Sequence, residues 1–213
     1  MGYPIMAIFI MTAFYGFYFA KLIIQKQQSI KTNQMGTGNK PKKVLLIERI
    51  TYCATILAFI FGAGSIFLVK QFPPNEIRLT GIAAGIASVI IFALATSAMQ
   101  TSWRVGIPEE KTTLITSGIY KWSRNPAFAG FDLLYLSMCL MFFNIPLVCV
   151  SIWAGIMLHL QILQEETHMH HMFKEEYALY KKQTLRYFGK KKFWKKNFGK
   201  KIFWKKEILK KEV

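Results

Sequence analysis

Two adjacent carboxylates, Glu165 and Glu166, follow directly on an apolar stretch that ends at Leu163. Desolvating carboxylates at a membrane boundary is costly, so the pair implies either a cationic ligand or pairing with water and nearby lysines. Asp132 is the one acid inside an apolar block. An acid there points to function, with a structural pair to Arg124 or Lys121 as the plain alternative. Asn125-Pro126 reads as a helix start, with asparagine as N-cap and proline in the first turn. Such a start turns backbone N–H groups and the positive end of a helix toward an anion. His168, His170 and His171 lie close by, but the chain has four histidines in all, too few for a di-iron histidine box. On a helix His168 and His171 share a face that His170 does not, so no metal is expected.

The elements that must position these residues are read from hydropathy. The 213 residues are 53% hydrophobic and 18% charged, and the two kinds fall in separate blocks. That excludes a disordered or collagen-like chain and an ordinary soluble domain. Five apolar blocks have the length a bilayer core requires: 4–24, 50–69, 79–99, 127–143 and 146–163. They are long and lack two-residue alternation, which predicts helices rather than strands. The first block has no basic segment before it and no small-residue cleavage signal after it, so it is expected to stay as a span. The turn at Asn144-Ile145-Pro146 predicts an antiparallel hairpin of the last two spans. Gly81 and Gly85 have the spacing that lets helices approach closely, whereas the lone Gly62-Ala63-Gly64 reads as packing. Cys53, Cys139 and Cys149 all lie in apolar runs and suggest no disulfide framework. The fold expected is therefore all-α: a polytopic membrane bundle of about five transmembrane helices with a C-terminal cytoplasmic helix and a basic tail.

Charge sets the orientation and the partners. The loop between the first two spans holds five lysines and Arg49 against one acid, Glu48, and the segment from Arg104 to Arg124 is also basic. An N-terminus outside places every basic segment in the cytoplasm. From Lys181 onward stand 14 of the chain's 28 basic residues against two acids, which supplies +12 of the net +17. Phe188-Gly-Lys-Lys-Lys-Phe-Trp-Lys-Lys196 recurs ten residues later as Phe198-Gly-Lys-Lys-Ile-Phe-Trp-Lys-Lys206. Lysines interleaved with Trp and Phe suit an anionic headgroup layer. In a chain already held by membrane spans, lipid is the expected partner rather than nucleic acid.

Two motifs flank the last hairpin. Ser117-Gly-Ile-Tyr-Lys-Trp-Ser-Arg-Asn-Pro-Ala-Phe-Ala-Gly130 resembles the pattern SGxYxxxRHPxYxG. Glu165-Glu166 followed by Phe173-x-x-Glu-Tyr177-x-x-Tyr180-Lys-Lys resembles an EE…FGEEYxxYKK ending. Together they resemble the isoprenylcysteine carboxyl methyltransferase and phospholipid methyltransferase superfamily over roughly residues 100–188. The resemblance implies an integral membrane enzyme that uses S-adenosylmethionine on a lipophilic or lipid-like acceptor at the cytoplasmic interface. Carried over by position, Thr112, Thr113, Leu114, Ile115, Tyr120, Asn125, Pro126, Ala127 and Phe128 would line the cofactor. Glu165 would meet its cationic part. Glu166 or Asp132 would accept the proton of an amine acceptor. Four positions depart from the pattern: Asn125 for histidine, Phe128 for tyrosine, Lys174 for glycine, and Gln161 for the arginine that holds a substrate carboxylate. Asn-Pro at 125–126 leans toward the phospholipid branch, and the loss of the arginine counts against an isoprenylcysteine substrate.

The division expected is three membrane helices over 1–100, a methyltransferase-like region over 101–188 and a basic aromatic tail over 189–213. Two rival readings accompany it. One is an NADPH-dependent membrane reductase of the sterol reductase type. The other is a non-catalytic membrane protein with a lipid-binding tail.

Overall fold

The computed structural model describes residues 2–110 and 112–189; the repeat-bearing tail from Lys190 lies outside the described residues. The elements are α1 (Gly2–Gln27), α2 (Lys42–Leu68), α3 (Asn75–Met99), α4 (Pro126–Met141) and α5 (Ile145–Gln183), with short 3-10 turns at Gln100–Ser102 and Gly118–Lys121. An α-helix satisfies its backbone groups internally, which hydrocarbon demands. Large apolar side chains such as Phe9, Phe67, Ile90 and Ile152 point outward on these helices, as a lipid-facing surface requires.

Among the described residues four helices, α1, α2, α3 and α5, are long and apolar enough to cross a membrane. The fourth expected span is shorter than its apolar run. α4 has 16 residues, about 24 Å against the roughly 30 Å of a bilayer core. It is cut at one end by Pro126 and at the other by the turn into Asn144, which caps α5 by accepting from the Leu147 amide at 3.0 Å. The expected C-terminal helix is the segment of α5 beyond a break at Lys174, and the 29 residues before the break span about 44 Å and run well past the apolar part.

The last two helices form the expected hairpin, yet α4 packs chiefly on α3 and α5 chiefly on α2. Small residues explain the first pairing. A methyl group on Gly81 would sit 2.8 Å from Met141, and one on Gly85 would sit 2.6 Å from Ser137. Ser137 donates its hydroxyl to the Gly81 carbonyl at 2.7 Å, a tie between helices that hydrocarbon does not weaken. Phe14 of α1 packs at a tilt on Phe92 and edge-on against Phe131 within this interface.

Contacts at the two ends fix the direction of each helix. Tyr3 donates to the carbonyl of Asn75, and the side chain of Gln25 donates to the carbonyl of Gln100. α1 and α3 therefore run parallel, with α2 and α4 antiparallel to them. The segments 28–41, 100–125 and 165–189 consequently gather at one end of the bundle.

Candidate active site

At that end a cavity of about 120 Å³ lies between the segment preceding α4 and one face of α5. Thr112, Thr113, Leu114, Ile115, Tyr120, Asn125, Ala127, Phe128, Glu165 and Glu166 all line it. Pro126 is buried beside it without lining it, and Asp132 lines neither this cavity nor its neighbour. Asp132 lies instead against Gly155, where a methyl group would sit 3.6 Å from its carboxylate. The alternative pair of Asp132 with Arg124 is not made, because Arg124 is turned toward Glu166.

Glu166 is 6% exposed and fully engaged. Its Oε1 accepts from Arg124 Nη2 at 2.8 Å, and its Oε2 accepts from Arg186 Nη2 at 3.0 Å. Asn125 Nδ2 donates to the same Oε1 at 3.2 Å. Arg124 also donates to the carbonyl of Thr184, and Asn125 to the carbonyl of Arg186. Burial works to raise the Glu166 carboxyl, but the two guanidinium groups outweigh it and hold it below the usual carboxylate range. The side chain of Asn125 is thus spent on Glu166 and Arg186, so it does not cap α4. The positive end of α4 faces the cavity through Ala127 and Phe128 without a side-chain cap.

Glu165, the next residue, is in the opposite condition. Its hydrogen-bond donor is the amide of Gln161, at 3.2 Å, and no arginine or lysine pairs with it among the described residues. It stands beyond the apolar part of α5, where burial pushes its carboxyl up to about 7 against the hydrogen bond from Gln161. Gln161 is wholly buried, and its carbonyl oxygen has no hydrogen-bond partner.

A second cavity of about 270 Å³ adjoins the first. Rings wall it: Tyr15, Tyr18, Phe19, Tyr52, Phe59, Phe92 and Phe131 from α1 to α4. The two cavities share Trp103, Arg104, Gly106, Ala127, Phe128 and Glu165. Among the described carboxylates, Glu165 alone lines both.

Sequence reasoning missed the loop between α1 and α2, which closes this end. Asn33 forms a parallel bridge with Val105, and Asn33 and Met35 line the larger cavity. Glu48, wholly buried, anchors the loop by accepting from the Gly36 amide at 2.7 Å, the Ile107 amide at 2.8 Å and Lys40 at 2.8 Å. A methyl group on Gly106 would collide with the Met35 backbone at 2.8 Å. Glycines at 36, 38 and 106, with an acid just before a span, are the traces this clasp leaves in the sequence. Arg186 was missed too, because it reads as one more base of the tail.

Lys174 explains the glycine of the resembled pattern. Its φ of 42° breaks α5 in the left-handed region, which a side chain disfavours. The break turns the last helical segment back over the smaller cavity. There Tyr177 and Tyr180 line the wall, and Tyr180 donates to the carbonyl of Tyr120 at 2.7 Å. Half-buried His168 lines this cavity as well, while His170 and His171 face outward.

No curated protein matches the chain. A family model does: residues 77–176, from the start of α3 through the first motif and the Glu165-Glu166 part of the second, match the phospholipid methyltransferase family.

Proposed function

We propose that the protein is a membrane methyltransferase that uses S-adenosylmethionine, with an amphiphilic amine as acceptor. The observation that carries the reading is Glu165, an unpaired carboxylate in the wall common to an aromatic cavity and a more polar one. The family match supports methyl transfer. The residues of the smaller cavity suit the cofactor chemically. The uncapped start of α4 would take the methionine carboxylate. Glu165 would face the cationic groups. Leu114, Ile115 and Met169 offer apolar surface to the adenine. Bound there, the cofactor supplies an electrophilic methyl group on a sulfonium.

The chain's own work is positioning and proton handling. The aromatic cavity accepts the hydrocarbon part of the acceptor and directs its head toward the shared wall. A protonated amine must lose a proton before it can attack, and Glu165, with a carboxyl near neutrality, takes it. Trp103 and Phe128 keep water from the junction. Glu166 does not act as base here; held by Arg124 and Arg186, it fixes the start of α4 and positions Asn125. Basic loops gather at the same end as the site, which by the positive-inside rule supports a reaction on the cytoplasmic side. Asp132 lies outside both cavities and has no part in this mechanism.

The test is label transfer. Membranes bearing the protein are given S-adenosylmethionine labelled on its methyl group and are extracted with organic solvent. Acid-stable label in lipid, lost with Glu165→Gln, is expected. Base-labile label released as methanol would overturn the amine acceptor. Failure of the purified protein to bind S-adenosylhomocysteine would overturn the methyltransferase reading altogether.

A further inference from the structure

The end of the bundle opposite the candidate site holds a cation that the proposed reaction does not use. The start of α1, the turn between α2 and α3, and the end of α4 meet there around Arg78, in the first turn of α3. The guanidinium carbon of Arg78 lies 3.8 Å from the centre of the Tyr3 ring, 4.3 Å from that of Phe72 and 5.7 Å from that of Phe142. The box is built into the fold: Tyr3 is tied to the Asn75 carbonyl, Phe142 is wholly buried, and Arg78 itself is 8% exposed.

The rings leave the donors of this cation unanswered. An aromatic ring attracts a guanidinium through the ring face, which is no acceptor for the five N–H bonds of the fork. Among the described residues no carbonyl, hydroxyl or carboxylate accepts from Arg78. Its Nε is sealed from solvent without a partner, whereas the terminal nitrogens are neither sealed nor bonded. Glu76, the acid of the same helical turn, is exposed and stands two residues away, a spacing that puts the two side chains on different faces. Pro74 gives the start of α3 no side-chain cap, so the positive end of the helix adds to the charge of Arg78. A cation this deeply buried and this poorly compensated is stabilised by a counter-anion.

We propose that Arg78 and its three rings form a receptor for a phosphate-type oxyanion, presented by a phospholipid headgroup or by free phosphate, at the end of the bundle away from the candidate site. The two terminal nitrogens form an end-on fork that matches two oxygens of one phosphate. The rings hold the guanidinium in place, so little side-chain freedom is lost when the oxyanion docks. Membrane helices end at the headgroup level, where lipid phosphates are at hand, and the exposed Phe67 and Leu68 at the end of α2 offer apolar surface beside the turn. The site does not rest on the methyl-transfer reading.

The test uses the full chain in dodecyl maltoside, a detergent without phosphate. Native mass spectrometry follows the binding of dihexanoyl phosphatidylcholine and of dihexanoylglycerol, which lacks the phosphate. A lipid without net charge is chosen so that the many lysines of the chain do not attract it. Expected is one phosphatidylcholine that dihexanoylglycerol does not replace, with a Kd at least about tenfold weaker in Arg78→Gln. Arg78→Lys keeps the charge and loses the fork, and should bind several-fold more weakly than the parent; it decides the matter if Arg78→Gln does not fold. Inorganic phosphate separates the sources. Displacement of the lipid by millimolar phosphate, or a Tm raised by phosphate alone in the parent and not in the variants, assigns the site to the free ion. A lipid that phosphate neither displaces nor imitates assigns it to the headgroup. Equal binding of both probes by the parent and the Arg78 variants, or retention of dihexanoylglycerol as strong as that of phosphatidylcholine, overturns the proposal.

Discussion

The two adjoining cavities share a wall and differ in how their surroundings treat charge. The larger is walled by tyrosine and phenylalanine rings from four helices, and its one carboxylate among the described residues is Glu165. The smaller mixes threonines, tyrosines and both ends of the Arg124–Glu166 pair. Glu166 sits on the polar side, with two arginines and an asparagine on its oxygens. Glu165 sits where the polar side meets the rings, with a lone amide donor from Gln161. Adjacent residues on one helix thus have carboxyl groups shifted in opposite directions. The neighbours decide, since both side chains are largely withdrawn from water. A satisfied carboxylate holds structure, and an unsatisfied one is available for chemistry.

The comparison predicts that the two glutamates fail differently. Glu165→Gln should reduce methyl transfer about 10²–10⁴-fold, with thermal unfolding in detergent no lower than that of the parent. Equal transfer by the variant would remove Glu165 from the reaction. Glu166→Ala should leave Arg124 buried without its partner and cost about 3–5 kcal/mol, read as a lower Tm whether or not cofactor is present. A Tm within a degree or so of the parent would show that the pair carries little of the fold.

The pH dependence sharpens the same contrast. Glu165 holds its proton up to about 7 in the free protein, and a cationic ligand needs the ionised form. Affinity for S-adenosylhomocysteine should therefore rise with pH below that value, by up to about tenfold per unit, and level off above it. Calorimetric titration checks this, and Glu165→Gln should flatten the slope attributable to this residue. Ile56→Trp intrudes on the aromatic cavity alone. It should raise the KM for the acceptor several-fold and leave the Kd for S-adenosylhomocysteine unchanged. Lys174→Gly relieves the left-handed backbone of the segment over the polar cavity. It should stabilise the protein by about 1 kcal/mol, a small gain in Tm.

The bundle was legible because apolar runs obey a length rule that leaves little freedom. The first two turns of α2 were not, because Lys42, Lys43, Glu48 and Arg49 interrupt the run. They are helical nonetheless, since Glu48 is neutralised by Lys40 and bonded by two backbone amides. The wall of the smaller cavity was legible from the motif around Asn125-Pro126, where the helix start dictates local geometry. The partner of Glu166 was not. Arg124 was weighed against Asp132, eight residues away, and Arg186 was hidden among lysines of similar appearance. Pairings between residues 42 and 20 positions apart leave no local pattern to read. The clasp of the α1–α2 loop was hidden for the same reason.

The shortness of α4 has a consequence for the bilayer itself. A helix of 16 residues among spans of 25 to 27 creates a hydrophobic mismatch. Bilayers answer such a mismatch by thinning around the short element. Thinning draws the headgroup plane inward beside α4. On the proposed reading, a lipid in that annulus presents its head to the site without being drawn out of the leaflet, and the cost of extraction is met by deforming the membrane once rather than at every turnover.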